Sequence, residues 1–593
     1  MKDDYEKEEE KFINTLGATA SLKRLIKDVA RERKSFATVV IAVVTTATAL
    51  AFYPLAIGYA VNSMANRNMY GVIFYGLVFL LLYLIQMIAN RFRVVHTTKI
   101  SQLAVKGLRD RSFTSIHSVP ISFFTVVKSG FLISRITNDA ETIGDFLTFQ
   151  IPQVISGFSA VILSIVIMLY LDPTLTLYAL IILPVLSIFT LSLQGKVREN
   201  YLKTRKTIAA ITGNLAENIN SIRSIKAFNV ETYVNSKFDL LNTDNLDANI
   251  RASRLSSAYG AVIRVLEFIG ISIVIYEGVI ELQIGLITIG TLVSFIFYVQ
   301  EFFDPVTQLS QLYNAYQSSI VGAGRIYGII DSPKEIIPEG SVPVNTMETS
   351  LELRNVTFSY GEDTALNNVN LTVSNREKVG IVGHTGAGKT TLSNLMLKLY
   401  LPEKGEILLD TNDTRNILTS RYRDIIIPVL QEPFLFRGTL YENIRIAKKD
   451  ASNEEIEKLA LEFGLERIFS RLPEGLNTDA GELGRNLSEG QKQAIAILRA
   501  IIRAPQILIM DEPTSNIDPF SEKDIFASLE KFSENRTLIL ITHRFSMISL
   551  VDRIVVVDQG KIIENGDFDT LMKKKGMFYS MYNIVNANDN WSV

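Results

Sequence analysis

Two textures in one chain predict an α-helical membrane domain of six spans fused to an α/β domain. The first 330 residues hold several long runs free of Asp, Glu, Lys and Arg; after Ile330 the chain turns polar and strand-like, and a glycine-rich loop sits between a strand pattern and a helix pattern. At 593 residues the chain is too long for one ordinary domain, and its 47% hydrophobic content is concentrated in the first half. With 60 basic and 62 acidic residues the net charge is −2, so no nucleic-acid partner is implied. The absence of cysteine excludes disulfides, thiolate metal sites and thiol catalysis. The N-terminal "MKDDYEKEEEKF" has no short apolar core and does not read as a cleavable signal.

Taken in order, the uncharged runs are Ser35 to Asn66, Asn68 to Asn90, Phe146 to Leu171 and Pro173 to Gly195. Each is long enough for a spanning helix, which needs about 20 residues. Two further spans are expected at Leu255 to Val279, interrupted by Arg264 and Glu267, and at Gly285 to Gln300, followed by Glu301 and Asp304. Ionisable groups at such depth either pair with each other or face a cavity. Two readings stay open: Glu301 and Asp304 line a cytoplasmic mouth that favours amphipathic cations, or Arg264 and Glu267 pair one helical turn apart and the two acids sit at the water interface. Basic residues collect before the first span (Lys23, Arg24, Lys27, Arg31, Arg33, Lys34) and after the second (Arg91, Arg93, Lys99, Lys106, Arg109, Arg111). Basic loops stay in the cytoplasm, so both termini are expected there. The inner connections, about Arg91 to Asp145 and Lys196 to Arg254, have apolar residues at helical spacing and extend the spans beyond the bilayer.

The expected division is a membrane domain at 1–331, a linker at 332–350 and an α/β domain at 351–593. "LELRNVTFSY", "NNVNLTV" and "EKVGIVG" alternate like strands, and the third leads into "GHTGAGKT". Gly383, His384, Thr385, Gly386, Ala387, Gly388, Lys389 and Thr390 fit the phosphate loop at every fixed position, with Thr391 opening the helix behind it. Such a loop wraps phosphates with backbone N–H groups, aims its lysine at them and offers the Thr390 hydroxyl to Mg2+. Further on, "QILIMDEP" is a buried strand ending in Asp511, suited to hold the metal, and Glu512, suited to act on water as a general base.

Between these two lies "LSEGQ" (Leu487 to Gln491), and with it the chain resembles the ABC transporter ATPases, whose signature is LSGGQ followed by a helix. The resemblance continues in order: Tyr360 for the adenine-stacking aromatic, Gln431 in "PVLQEPFLF" for the Q-loop glutamine and Mg2+ ligand, "TDAGELG" for the exporter X-loop, "SNID" for the D-loop and His543 in "LITHRF" for the switch histidine. "SFFTVVKSGFLISRITNDAETI", "NLAENINSIRSIKAFNVE" and "VGAGRIYGIID" resemble the exporter membrane domain of the same family. Together these identify an exporter-type half-transporter, one membrane domain of six spans plus one α/β P-loop ABC ATPase domain.

The resemblance implies ATP and Mg2+ as cofactors and ATP hydrolysis coupled to export of hydrophobic or amphipathic compounds. It implies a multi-pass cell-membrane protein with cytoplasmic ATPase, and a dimer in which Ser488, Gly490 and Gln491 meet the partner's ATP. Sandwiched ATP would draw the ATPase domains together and switch the membrane cavity from inward- to outward-facing. A soluble ABC ATPase would lack six spans, an importer keeps its permease on a separate chain, and a peptidase-bearing exporter needs cysteine. The departure is Glu489, where the family has glycine: a carboxylate roughly 6 Å from a phosphate charge costs on the order of 3 kcal/mol at an effective dielectric of about 20. Ala494 also stands where an arginine is common. A signature so altered favours a heterodimer with a second half-transporter, resembling the asymmetric bacterial multidrug exporters, over a homodimeric lipid or peptide exporter.

Overall fold

The computed structural model describes residues 17–29, 32–334, 340–361, 363–513 and 517–589. The chain forms two compact units, Met1–Lys334 and Glu335–Val593.

In the first unit, α1 (Ala18–Val29) is amphipathic and buries Ser21 and Leu25. Helix α2 (Arg33–Ala65) turns sharply at Arg67, with φ of 54°, into α3 (Met69–Ile116), whose first turn is capped by Asn68 accepting from the Gly71 N–H at 3.1 Å. A short α4 (Ile121–Val126) precedes α5 (Ser129–Leu171), which is interrupted by π-turns at Arg135–Asp139 and Phe146–Gln150. Asp172 caps α6 (Pro173–Asn220) by accepting from the Leu175 N–H at 2.8 Å. A short α7 (Ile222–Phe228) stops at Asn229 in the left-handed region, α8 (Glu231–Ile284) stops at Gly285 in the same conformation, and α9 (Ile289–Ile330) contains Pro305. Residues of this type tolerate positive φ, which is why the helices end there.

Helices α2, α3, α5, α6 and α8 are long and apolar enough to cross a membrane, and α9 adds the shorter apolar stretch Ile289–Phe303. The sixth expected span is thus represented only by this shorter stretch, which includes Glu301 and stops before Asp304. At about 1.5 Å per residue, the 48 residues of α3 and the 54 of α8 reach roughly 70 and 80 Å, far more than a bilayer core of about 30 Å. Among the described residues no ion pair joins Arg264 to Glu267.

Close helix packing is concentrated where α2 meets α9. A Cβ on Gly290 would lie 1.9 Å from the Gly58 carbonyl oxygen, and one on Gly58 would lie 2.0 Å from Ser294 Oγ, so only glycine fits at both. The Ser294 hydroxyl donates to the Pro54 carbonyl at 2.8 Å and the Tyr298 hydroxyl to the Ala51 carbonyl at 2.9 Å. At the other end α1 is clamped to α3 and α9. Asp28 pairs with Arg111 at 2.5 Å and accepts from the Tyr327 hydroxyl at 3.0 Å, while Arg24 pairs with Asp331 at 2.5 Å.

Early in the second unit Val342 bridges Ile417, and Met347 is buried with its N–H donating to Gln506 Oε1 at 2.5 Å. Its elements include β1 (Ser350–Tyr360), β2 (Asp363–Ser374), β3 (Lys378–Val382), α10 (Lys389–Met396), β4 (Lys404–Leu409), β5 (Asn412–Asp413), β6 (Ile426–Val429), α11 (Glu489–Ile501), β7 (Ile507–Asp511), α12 (Pro519–Ser533), β8 (Thr537–Ile541), β9 (Arg553–Asp558), β10 (Lys561–Gly566) and α13 (Met577–Asp589), with further helices between. One sheet is antiparallel in the order β2-β1-β4-β5. The other runs β10-β9-β3-β8-β7-β6 and is parallel except for β10. Strand β8 is buried at every residue and β7 at all but Asp511, as expected for parallel strands covered on both faces.

Candidate functional site

In open parallel sheets, ligands meet the loops at the carboxyl ends of the strands. Here β3, β8, β7 and β6 are neighbours, and each delivers one sequence-predicted group just past its end: the Gly383–Thr390 loop, His543, Asp511 with Glu512, and Gln431.

The phosphate loop is shaped by its glycines. Gly383 lies against β9, where a Cβ would come 2.2 Å from the Val557 oxygen; Gly386 and Gly388 have φ of 82° and 106°. His384, Thr385 and Gly386 are exposed at the crest, and Ala387 is buried beneath it. Lys389 is 8% exposed, and its ammonium donates to the carbonyls of Gly383 at 2.9 Å and His384 at 3.0 Å. Burial pulls its pKa down, opposed by the carboxylates of Glu512 and Asp511. Burial pushes the pKa of Asp511 up and its neighbour Glu512 adds to the rise, opposed by the Thr390 hydroxyl and Lys389. Thr391 is buried in the first turn of α10. A buried ammonium, loop N–H groups at a helix start and a carboxylate beside a hydroxyl are a donor set that fits a polyphosphate with its Mg2+.

Glu512 follows directly on β7 and sits in the left-handed region with φ of 46°. Gln431 Nε2 donates to one of its oxygens at 2.9 Å, and His543 Nδ1 lies 3.0 Å from the other. The arrangement holds a carboxylate in one orientation beside the loop, with His543 half exposed. Tyr360 is 40% exposed and is braced edge-on by Phe358 and Tyr400, with ring centroids 4.9 and 5.4 Å away. Of the D-loop stretch, Ser515 and Asn516 lie outside the described residues; Asp518 caps α12, accepting from the N–H groups of Phe520 and Ser521.

The family model of the ABC transporter transmembrane region matches residues 36–306, and the ABC transporter model matches residues 366–515. The chain is an ABC transporter. This ABC transporter is 32% identical over 566 residues, 95% of its length and 94% of the relative's, to an uncharacterized ABC transporter ATP-binding protein of Bacillus subtilis. It is 32% identical over 515 residues to an ATP-dependent lipid A-core flippase of Syntrophus aciditrophicus, covering 86% of each chain. It is 30% identical over 481 residues to a fatty acid ABC transporter ATP-binding/permease protein of Mycobacterium bovis, covering 81% of this chain and 76% of that one. It is an exporter-type half-transporter that hydrolyses ATP.

In this ABC transporter the stretch Leu487 to Gln491, expected to be the signature, lies at the start of α11. Ser488 is the N-cap: its hydroxyl accepts from the Gln491 N–H at 3.3 Å while the Gln491 side chain accepts from the Ser488 N–H at 2.8 Å, a capping box. Gly490 is buried, and a Cβ there would come 2.7 Å from Ser521 Cβ on α12, so packing alone requires this glycine. Glu489 is half exposed and pairs with Lys492 at 2.8 Å. Ala494 is fully buried in the core around α11.

Sequence reasoning missed three residues at the site. Lys492 stands three residues after Glu489, a spacing that places two side chains together on a helix and could have been read. Tyr400, the second brace of Tyr360, has no local signal. Arg499 donates to the carbonyls of Asn443 at 2.7 Å and Phe434 at 2.5 Å, fixing the segment that follows Gln431. That bond spans 65 residues, and no periodicity announces it.

Proposed function

We propose that this chain is one half of a dimeric, ATP-driven exporter of hydrophobic or amphipathic compounds, embedded in the cell membrane with both termini and the ATPase domain cytoplasmic. The observation that carries the reading is Glu512, held between Gln431 and His543 on its two oxygens and next to the loop that buries Lys389. Bound ATP with Mg2+ supplies the phosphoanhydride whose cleavage drives the cycle. Lys389 and the N–H groups of the Gly383–Thr390 loop would hold the phosphates, Tyr360 would offer its open ring face to the adenine, and Thr390, Asp511 and Gln431 would hold the metal. Glu512 would orient a water and take its proton, and His543 would hold a phosphate oxygen once Glu512 turns to that water. Relatives described as moving lipid A-core and fatty acids support an amphipathic cargo.

The partner we propose is a different half-transporter. The positive start of a helix is an anion site, and at α11 it is already occupied from within. Ser488 and Gln491 satisfy each other, and Glu489 places a carboxylate in the first turn. Lys492 offsets that charge, so repulsion of a facing phosphate is smaller than an unpaired glutamate would give; the competition for the helix start remains. A partner with glycine in its signature would complete the site built on Glu512.

The test of the chemistry is Glu512→Gln, which keeps both hydrogen-bonding positions but removes the base. ATP should still bind, measured by equilibrium dialysis, while turnover falls on the order of a hundredfold. Hydrolysis at the unaltered rate would remove Glu512 from this role.

A further inference from the structure

Helices α2, α3, α5 and α9 enclose a pocket of about 510 Å³ within the membrane domain, a volume in the range of small-molecule sites. It lies where the apolar runs give way to charge: Glu301 belongs to the apolar start of α9, and Arg93 comes three residues after the uncharged stretch ending at Asn90. Both of these opposite charges line it. Four side-chain amides, Gln86, Asn90, Gln153 and Gln308, line it as well, while Leu50, Met87 and Val161 supply apolar wall.

Several of these groups are fixed before any ligand arrives. Arg93 is aimed by two hydrogen bonds to Asn90 Oδ1, at 3.2 and 2.7 Å. Glu301 Oε2 accepts from the Ser164 hydroxyl at 2.8 Å, and Gln86 Oε1 accepts from the Tyr53 hydroxyl, which leaves the Gln86 NH2 as a donor. One edge is set by α5 lying close to α9, where a Cβ on Gly157 would be 3.3 Å from Pro305 Cγ. Oriented polar groups of both signs at membrane depth are costly to keep for packing alone.

We propose that this pocket binds the head group of a zwitterionic amphiphile, with an amine at Glu301 and an acidic group at Arg93, its tail remaining in the lipid of the cytoplasmic leaflet. The assignment rests on the exporter reading and names its substrate class. A purely cationic compound would leave Arg93 facing a positive charge, and a purely anionic one would set Glu301 against a negative charge. A head group with both satisfies both, and the amides accommodate its remaining donors and acceptors.

The test uses the full chain in lipid nanodiscs without nucleotide, so that its result is read separately from any ATPase assay. A short-chain phosphatidylethanolamine with a photoactivatable tail should label the protein. Unlabelled phosphatidylethanolamine should compete at least tenfold better than phosphatidylglycerol of the same chain length or an alkylamine of the same tail. Glu301→Gln and Arg93→Gln should each lower labelling about tenfold, the loss expected from one charge-assisted hydrogen bond. If either substitution disrupts folding, judged by elution volume, Gln308→Leu and Gln153→Leu replace it and should lower labelling severalfold. Equal labelling of wild type and variants, or equal competition by the alkylamine or by phosphatidylglycerol, overturns the proposal and leaves ATP-driven export untouched.

Discussion

Lys389 shows how much one side chain is asked to do. Its ammonium is buried and held by two carbonyls of its own loop, so it maintains the loop's shape as well as offering charge to phosphate. Truncation to alanine would leave the Gly383 oxygen without that donor, while the His384 oxygen keeps the Ala387 N–H at 3.1 Å, at a cost of about 1–3 kcal/mol in a buried setting. It would also delete a charge-assisted contact to the ligand. Lys389→Ala should therefore weaken ATP binding at least tenfold, measured by calorimetric titration, whereas Glu512→Gln weakens only turnover. Unchanged affinity in the alanine variant would count against the loop as the nucleotide site. These residues were legible because the phosphate loop and the acidic strand end are local patterns. The hydrogen bond of Gln431 to Glu512 was not, since it joins positions 81 residues apart and depends on β6 and β7 being neighbours.

Elements in the second unit are pinned by a few carboxylates, of which Asp410 is the most heavily used. From the turn between β4 and β5 it accepts from the N–H groups of Glu348, Thr349 and Ser350 and from the Thr349 hydroxyl at 2.8 Å, fixing the entry to β1. Partial burial pushes its pKa up, but these donors outweigh burial and hold it below the ordinary carboxylate value. A depressed carboxylate stabilises the folded state above its unfolded pKa, and that contribution is lost as pH falls through the lower folded value. The entry to β1 should thus stay protected through mildly acidic pH and loosen only below about pH 4. Asp410→Asn should speed amide hydrogen exchange at 348–350 at neutral pH, read by mass spectrometry, with little change in β7 or β8. Strand existence was readable from alternation in "LELRNVTFSY" and "NNVNLTV". The strand order was not, because β3 finds β8 and β9 across more than 150 residues of sequence, and only the packed structure decides that pairing.

At the scale of the whole molecule, length, charge and apolar runs announced the two-part architecture, and the motif order announced the family. The pocket of α2, α3, α5 and α9 was only half visible: Glu301 stood out as an acid in an apolar run, but nothing local linked it to Arg93. Glu489 was legible as a departure, its neutralising partner Lys492 less so. The assembly prediction follows from both. Expressed alone, the chain should show little ATPase activity, and co-expression with a half-transporter carrying a glycine signature should raise it at least tenfold. Glu489→Gly should raise the activity of the single chain. High activity from the chain alone with no gain from that substitution would favour the homodimer.

The glycine crossing of α2 and α9 has a mechanical meaning. With Gly58 and Gly290 in backbone contact and two hydroxyls bridging to α2 carbonyls, the crossing has no slack in which one helix could slide past the other. It should behave as a welded joint, so that any bending during transport is displaced along the helices towards Pro305, where a helical hydrogen bond is missing. Spin labels flanking the joint, at Ser63 and Leu286, should report one unchanging distance with and without nucleotide. A label pair at Phe36 and Val321, beyond the proline, should report two.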